Sequence, residues 1–304
     1  MNLSIIVLFA IYAAVGILTL VIWWLIYESI LARGYNVREA VFGKRPNAAV
    51  AMDLLGGFLA TAILLYSIIS LAPRTSFRLN VPAVGLSIVA VLVLLTALRL
   101  LVAGLLRIWF GEQRDKQGDL VSLNNELFKQ RNLASSLFST VLYVILVAGL
   151  AELDVFDHAN QGLSQVWNML GIWLFGCLLV FVHSFFYLEY GTRNHILHEC
   201  FIDNNPAAPF SLLGLVAGML PLNHYLLVTF GPGQHMFSSW DLWIFLAIIL
   251  AFVLLARAVL QIVLFVATGI NLRHELVIAD NVAWGILDGG LIFSLLLMLL
   301  ALML

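Results

Sequence analysis

Charge is what this sequence has least of. Asp, Glu, Lys and Arg make up 11% of its 304 residues, against about 25% in soluble domains. Too little polar surface is left to solvate a globular fold, which excludes a water-soluble enzyme or a disordered regulator. No excess of either sign compensates, since the formal net charge is −2, so a basic nucleic-acid surface is excluded and no nucleic-acid partner is expected. Cysteine is limited to Cys177 and Cys200, one in an apolar run and one in a polar loop, so no disulfide framework is implied. No P-loop, nucleophile elbow, Cys-x-x-Cys or Gly-x-Gly-x-x-Gly occurs, which leaves the common phosphate, acyl-transfer and redox motifs without residues to carry them. The longest hydrophilic stretch, about 111–131, is too short for a catalytic domain.

Apolar residues are what the chain does have. They account for 62% of it, with a mean hydropathy of +1.03, the composition of a polytopic membrane protein whose first partner is the lipid bilayer. About 20 apolar residues cross a bilayer as a helix that satisfies its own backbone. Eight runs reach that length: about 4–28, 48–72, 82–108, 133–151, 166–189, 208–230, 241–269 and 283–304. Six or seven spans remain if the sixth, which carries Pro221, Asn223 and His224, only dips into the membrane; eight is preferred. The first run lacks a basic leader and is too long for a signal-peptide core, so it reads as a retained span.

Lys and Arg near the span ends set the orientation. Eleven (Arg33, Arg38, Lys44, Arg45, Arg107, Arg114, Lys116, Lys129, Arg131, Arg193 and Arg273) fall in the loops on one side, against Arg74 and Arg78 on the other. The first side is expected to be cytoplasmic, with both termini outside. The linker 153–163, preceded by Glu152 and carrying Asp154 and Asp157, contains no Lys or Arg and suits the outer side.

Each even-numbered span opens on Asn-x-Ala: Asn47 with Ala49, Asn132 with Ala134, Asn205 with Ala207, and Asn281 with Ala283. None of the other asparagines among the fifteen has Ala two positions later. A glutamate stands six residues before the Asn in three cases, Glu126, Glu199 and Glu275; Glu39 stands eight before, which calls for a two-residue insertion around Gly43-Lys44. Small-xxx-small pairs follow: Gly56/Ala60, Ser135/Ser139, Gly214/Gly218 and Gly285/Gly289. Spans one and five end in Glu28 and Glu189, whereas three and seven contain Arg99 and Arg257. The expected fold is therefore an all-α bundle of four parallel two-helix repeats. Its first half is 1–152 (hairpins 1–72 and 81–151). Its second half is 164–304 (hairpins 166–230 and 239–304). Parallel repeats remove the inverted symmetry common among secondary transporters.

This recurring glutamate, semi-apolar stretch and Asn-x-Ala, best seen in Glu275-Leu-Val-Ile-Ala-Asp-Asn-Val-Ala-Trp-Gly, resembles the bacterial domain-of-unknown-function 350 (YjfL-like) membrane proteins. Repeat two departs, placing Lys129 and Arg131 where repeats three and four have Ile or Asp. The resemblance implies a multi-pass bacterial inner-membrane protein, sometimes encoded near envelope-stress or polyamine-related proteins, and no established reaction.

Asn is a preferred helix N-cap, Pro206 suits a first helical position, and Ala permits close helix approach. The corners are therefore read as caps, with an anionic ligand at the four helix starts as the alternative. Asp53, Arg99, Arg257 and Asp288 lie inside spans. A mid-membrane charge costs about 2.5–3.5 kcal/mol on the insertion scale, so these should face inward and pair, Asp53 with Arg99 and Asp288 more loosely with Arg257. Either they fix helix register or they line a path. Glu28 and Glu189 read as solvated span ends. His195, His198 and Glu199 have a spacing that can bind metal, but nothing completes the set, and no metal or cofactor is expected. Trp23-Trp24, Trp109, Trp167, Trp173, Trp240 and Trp243 read as an interfacial aromatic belt. Two functions follow: a non-enzymatic membrane component or scaffold in envelope maintenance or stress response, binding membrane or cytoplasmic proteins at the inner face or a second copy of itself; or a channel or transporter for a small ion or charged metabolite.

Overall fold

The computed structural model describes residues 3–71, 81–115, 117–151, 196–230, 240–271 and 274–303. The expected span 166–189, the linker 153–163, and Arg74, Arg78, Glu189, Arg193 and His195 lie outside the described residues.

No strand occurs among the described residues. The helices are α1 Leu3–Ile26, α2 Val37–Phe42, α3 Ala48–Leu71, α4 Val81–Phe110, α5 Leu133–Ala151, α6 Ile196–Phe201, α7 Ala207–Phe230, α8 Trp240–Thr268 and α9 Val282–Met303. One-turn π-helices occupy Tyr27–Leu31, Asn125–Lys129 and His274–Ile278. Among the described residues, four stretches are long and apolar enough to cross a membrane: Ala13–Leu31, Ile88–Phe110, Ala247–Thr268 and Val282–Leu302. Shorter apolar stretches lie in α3, α5 and α7. α7 continues as one 24-residue helix through Pro221.

The helices that open on the Asn-x-Ala corners are the inner ones. α3, α5, α7 and α9 stand in a row, each packed on the next, with the most extensive contacts between α3 and α5 and between α7 and α9. α1 and α4 pack on α3, and α8 packs on α9. Their outward faces carry Ile17, Leu18, Val21, Val89, Leu105, Ile248 and Val266, all exposed. Large aliphatic side chains facing out, around an interior that seals charged residues among apolar ones, suit a lipid surround.

Packing within the row depends on residues too small to separate the backbones. A methyl placed on Gly214 would collide with the main chain of Gly289, and one on Gly285 would come within 2.5 Å of the Ala207 Cα. Across α7 and α9, Gly214 therefore meets Gly289, Gly285 meets Ala207, and Gly218 makes room for the Leu296 side chain. In the first half, Gly56 faces the Thr140 side chain. Trp23 departs from the belt reading. It is fully buried, packs at 6.3 Å against Tyr143, and fills the space that Gly57 leaves empty.

Candidate functional site

Among the described residues, two buried Asp–Arg clusters lie inside the bundle. In the first, Arg99 of α4 donates through Nε to Asp53 Oδ2 of α3 at 3.3 Å. The same oxygen accepts from the Tyr27 hydroxyl at 2.7 Å, and Oδ1 accepts from Tyr143 at 3.5 Å. Arg99 Nη2 donates to Asn124 Oδ1 at 3.0 Å, while the Asn124 amide donates to the Leu31 carbonyl at 2.9 Å. One carboxylate of α3 is thus held by groups from α4, α5 and the π-turn after α1. Asp53 is fully buried and Arg99 nearly so.

In the second cluster, Arg257 of α8 donates through Nη2 to Asp288 Oδ2 of α9 at 2.9 Å. Ser211 of α7 donates to the same oxygen. Asp288 Oδ1 is buried with no hydrogen-bond partner among the described residues. The structure brings together both Asp–Arg pairs, including the one whose depths matched less well along the chain. Tyr27, Tyr143, Asn124 and Ser211 had no signal in the sequence, because a hydroxyl or amide on a neighbouring helix has no fixed spacing from the charge it serves.

The Asn-x-Ala corners form a second polar system, at one end of the row. Asn47 Oδ1 accepts from the Ala49 N–H at 3.0 Å, Asn132 Oδ1 from Ser135 at 2.9 Å and Asn205 Oδ1 from Ala207 at 2.9 Å. Each of these is the N-terminal cap geometry. Ala49, Ala134 and Ala207 are fully buried. Ala283 is exposed, because α9 ends the row.

Behind each of the last three corners the chain turns in the same way. The residue before the Asn has a positive φ: 55° at Arg131, 55° at Asn204 and 50° at Asp280. The Asn backbone N–H then donates six residues back, to Glu126 at 2.8 Å, Glu199 at 2.9 Å and Glu275 at 2.9 Å. The Asn side-chain amide donates to the carboxylate of that same glutamate, at 2.9, 2.7 and 2.9 Å respectively. Burial pushes the Glu126 carboxyl up to about 7, with Asp115 and Asp119 adding to the shift and the Asn132 hydrogen bond opposing it.

The same amides also link neighbouring corners. Asn47 Nδ2 donates to Leu127 O at 2.7 Å, Asn132 Nδ2 to Cys200 O at 2.9 Å, and Asn205 Nδ2 to Leu276 O at 2.6 Å. Each acceptor directly follows the glutamate of the next corner, so the four corners adjoin in chain order.

The first corner differs. Pro46 precedes Asn47, and proline cannot adopt the positive φ found at the other three. The chain takes a longer route, and the Asn47 N–H donates to Ala40 O at 2.7 Å. Ala40, not Glu39, therefore stands in the glutamate register, and Glu39 lies one position away, its carboxylate folded back near Gly43.

Among the described residues one group has metal-ligand spacing. His198, Glu199 and Asp203 hold ligand atoms within 4.8 Å of one another. All three side chains are engaged: His198 Nδ1 lies 2.9 Å from Asp203 Oδ2, and Glu199 Oε2 accepts from Asn205. Glu28 lies 3.4 Å from Arg38 and accepts from the Trp24 indole at 3.1 Å.

Helices of membrane-crossing length, apolar outward faces and ion pairs sealed inside define an all-helical membrane protein. Residues 1–151 match the family described as Domain of Unknown Function (DUF350), and the chain belongs to that family. No curated protein and no solved structure matches the chain.

Proposed function

We propose that this protein is a multi-pass inner-membrane component that works without catalysis, as a scaffold in envelope maintenance or stress response. The observation that carries this reading is that both interior Asp–Arg pairs and the corner amides are bonded across neighbouring helices. Asp53 and Arg99 have four hydrogen-bond links between them and their neighbours, and the corner amides are used to tie one repeat to the next. Such groups fix helix register, and breaking a buried pair costs about 3–5 kcal/mol. Four parallel hairpins, two to each half, are supported by the adjoining corners. The end of the family match at Ala151, where α5 stops, supports the division into halves. The excess of Lys and Arg on the corner side supports a cytoplasmic placement of those corners. That face would receive protein partners or a second copy.

Proteoliposome flux tests the reading. Ion flux through the wild type is expected to equal that of empty vesicles. Flux that disappears in Asp53→Asn or Asp288→Asn, with folding intact, would overturn it. The second reading, a channel or transporter for a small ion or charged metabolite, is favoured by one feature, the buried Asp288 Oδ1 that lacks a hydrogen-bond partner among the described residues.

A further inference from the structure

We propose that the cleft at the first corner is a binding site for a phosphate group, seated where the other three corners carry their own glutamate carboxylate. The inference goes beyond scaffolding and holds whether the protein scaffolds or conducts.

The comparison among the four corners carries the inference. In corners two, three and four the Asn amide nitrogen donates to an acidic oxygen supplied from six residues back. In corner one that register is occupied by Ala40, whose methyl offers no acceptor. Asn47 is 3% exposed, and its amide nitrogen makes one hydrogen bond, to Leu127 O. Asn132 and Asn205 each make two from the same atom. The second Asn47 N–H is thus a buried donor without the anionic partner that its counterparts have, and leaving such a donor unmatched is costly.

A cleft of about 410 Å³ opens at this point, with Asn47 and Ala40 in its lining. The longer route forced by Pro46 brings Lys44 and Arg45 to its rim, and Arg131 of the second corner completes the set. Against these three cations stands one carboxylate, Glu39. The stacked rings of Tyr35 and Phe128, 4.5 Å apart, form a wall. Three cations facing one acid, with the buried Asn47 also in the lining, suit an oxyanion carrying more charge than a carboxylate. Basic pockets at the ends of membrane helices also receive lipid headgroups, so the phosphate can come from a phospholipid or from solution.

Thermal unfolding of the full chain in nanodiscs separates these sources. One arm uses zwitterionic lipid with added inorganic phosphate; the other uses phosphatidylglycerol with no free phosphate. Binding to the folded state raises Tm. The wild type is expected to respond in at least one arm, and the responding arm identifies the source. Lys44→Gln/Arg45→Gln should need at least tenfold more of the same probe. Ala40→Glu supplies the missing carboxylate from within the chain. It should match or exceed the wild-type Tm without probe and lose the response. If Ala40→Glu fails to fold, the Lys44/Arg45 pair decides alone. A wild type that responds in neither arm, the result expected if Glu39 fills the site, would overturn the proposal. So would an Ala40→Glu protein, or a Lys44→Gln/Arg45→Gln protein, that responds as the wild type does.

Discussion

Tyr27 and Tyr143 spend their hydroxyls on a single buried carboxylate, and this dependence can be measured. Tyr27→Phe removes a 2.7 Å donor and is expected to cost about 1–3 kcal/mol, the range for a buried polar group losing its partner. Arg99→Ala strands Asp53 and should cost about 3–5 kcal/mol. Arg99→Ala combined with Asp53→Ala should cost less than the sum of the two single changes, read from unfolding in detergent. That Asp53 meets Arg99 was legible in the sequence, because an unpaired charge among apolar residues is too costly to leave facing lipid. The tyrosines were not legible, since nothing along the chain marks an aromatic that carries a hydroxyl to a distant acid. Trp23 was misread for a related reason: at a helix end, a core tryptophan and an interfacial one look alike. Glu126 adds a pH dependence. Its carboxyl, raised from the usual 4.5 to about 7, binds its proton more tightly in the folded chain than in the unfolded one. Stability from this group is therefore complete below about pH 4.5 and is lost as pH rises through about 7. Tm should fall across that window in the wild type, and Glu126→Gln should remove this component of the fall.

At the scale of elements, the corners act as links. Asn132 and Asn205 each cap a helix, hold their own glutamate and reach the next corner. Among the described residues, Asn281 holds Glu275 alone through its side chain. Asn132→Ala and Asn205→Ala should therefore lower Tm clearly more than Asn281→Ala does, although the three share one sequence motif. The periodic Asn-x-Ala makes the corners legible along the chain, and their glutamates with them. Glu39 was placed one residue away from the true register, because counting an insertion cannot show which residue the backbone bond selects. Pro46 held that information through its fixed φ, but only against the positive φ at Arg131, Asn204 and Asp280.

For the molecule as a whole, the row α3–α5–α7–α9 gathers all four corners at one end. Single cysteines placed near Gly43, Gly118, Asp203 and Ile278, in a chain whose own Cys177 and Cys200 are serine, are expected to share one behaviour. In intact cells a membrane-impermeant reagent should leave all four unlabelled, and all four should react once the cells are opened. A mixed pattern would break the parallel-hairpin arrangement and the orientation with it.

The seam between α7 and α9 has a further consequence. Where Gly214 meets Gly289, main chain rests on main chain, so no rotamer is available to absorb a change in spacing. The first half has a softer joint, because the Thr140 side chain lies between its helices. Thermal or lateral pressure meets a side chain whose hydroxyl lies within reach of the Met52 and Ser136 carbonyls in one half, whereas in the other it must move whole helices. The distance from Ser211 on α7 to Asp288 on α9 is set by that seam, so the donors around the second carboxylate keep their spacing only while these two backbones stay in touch.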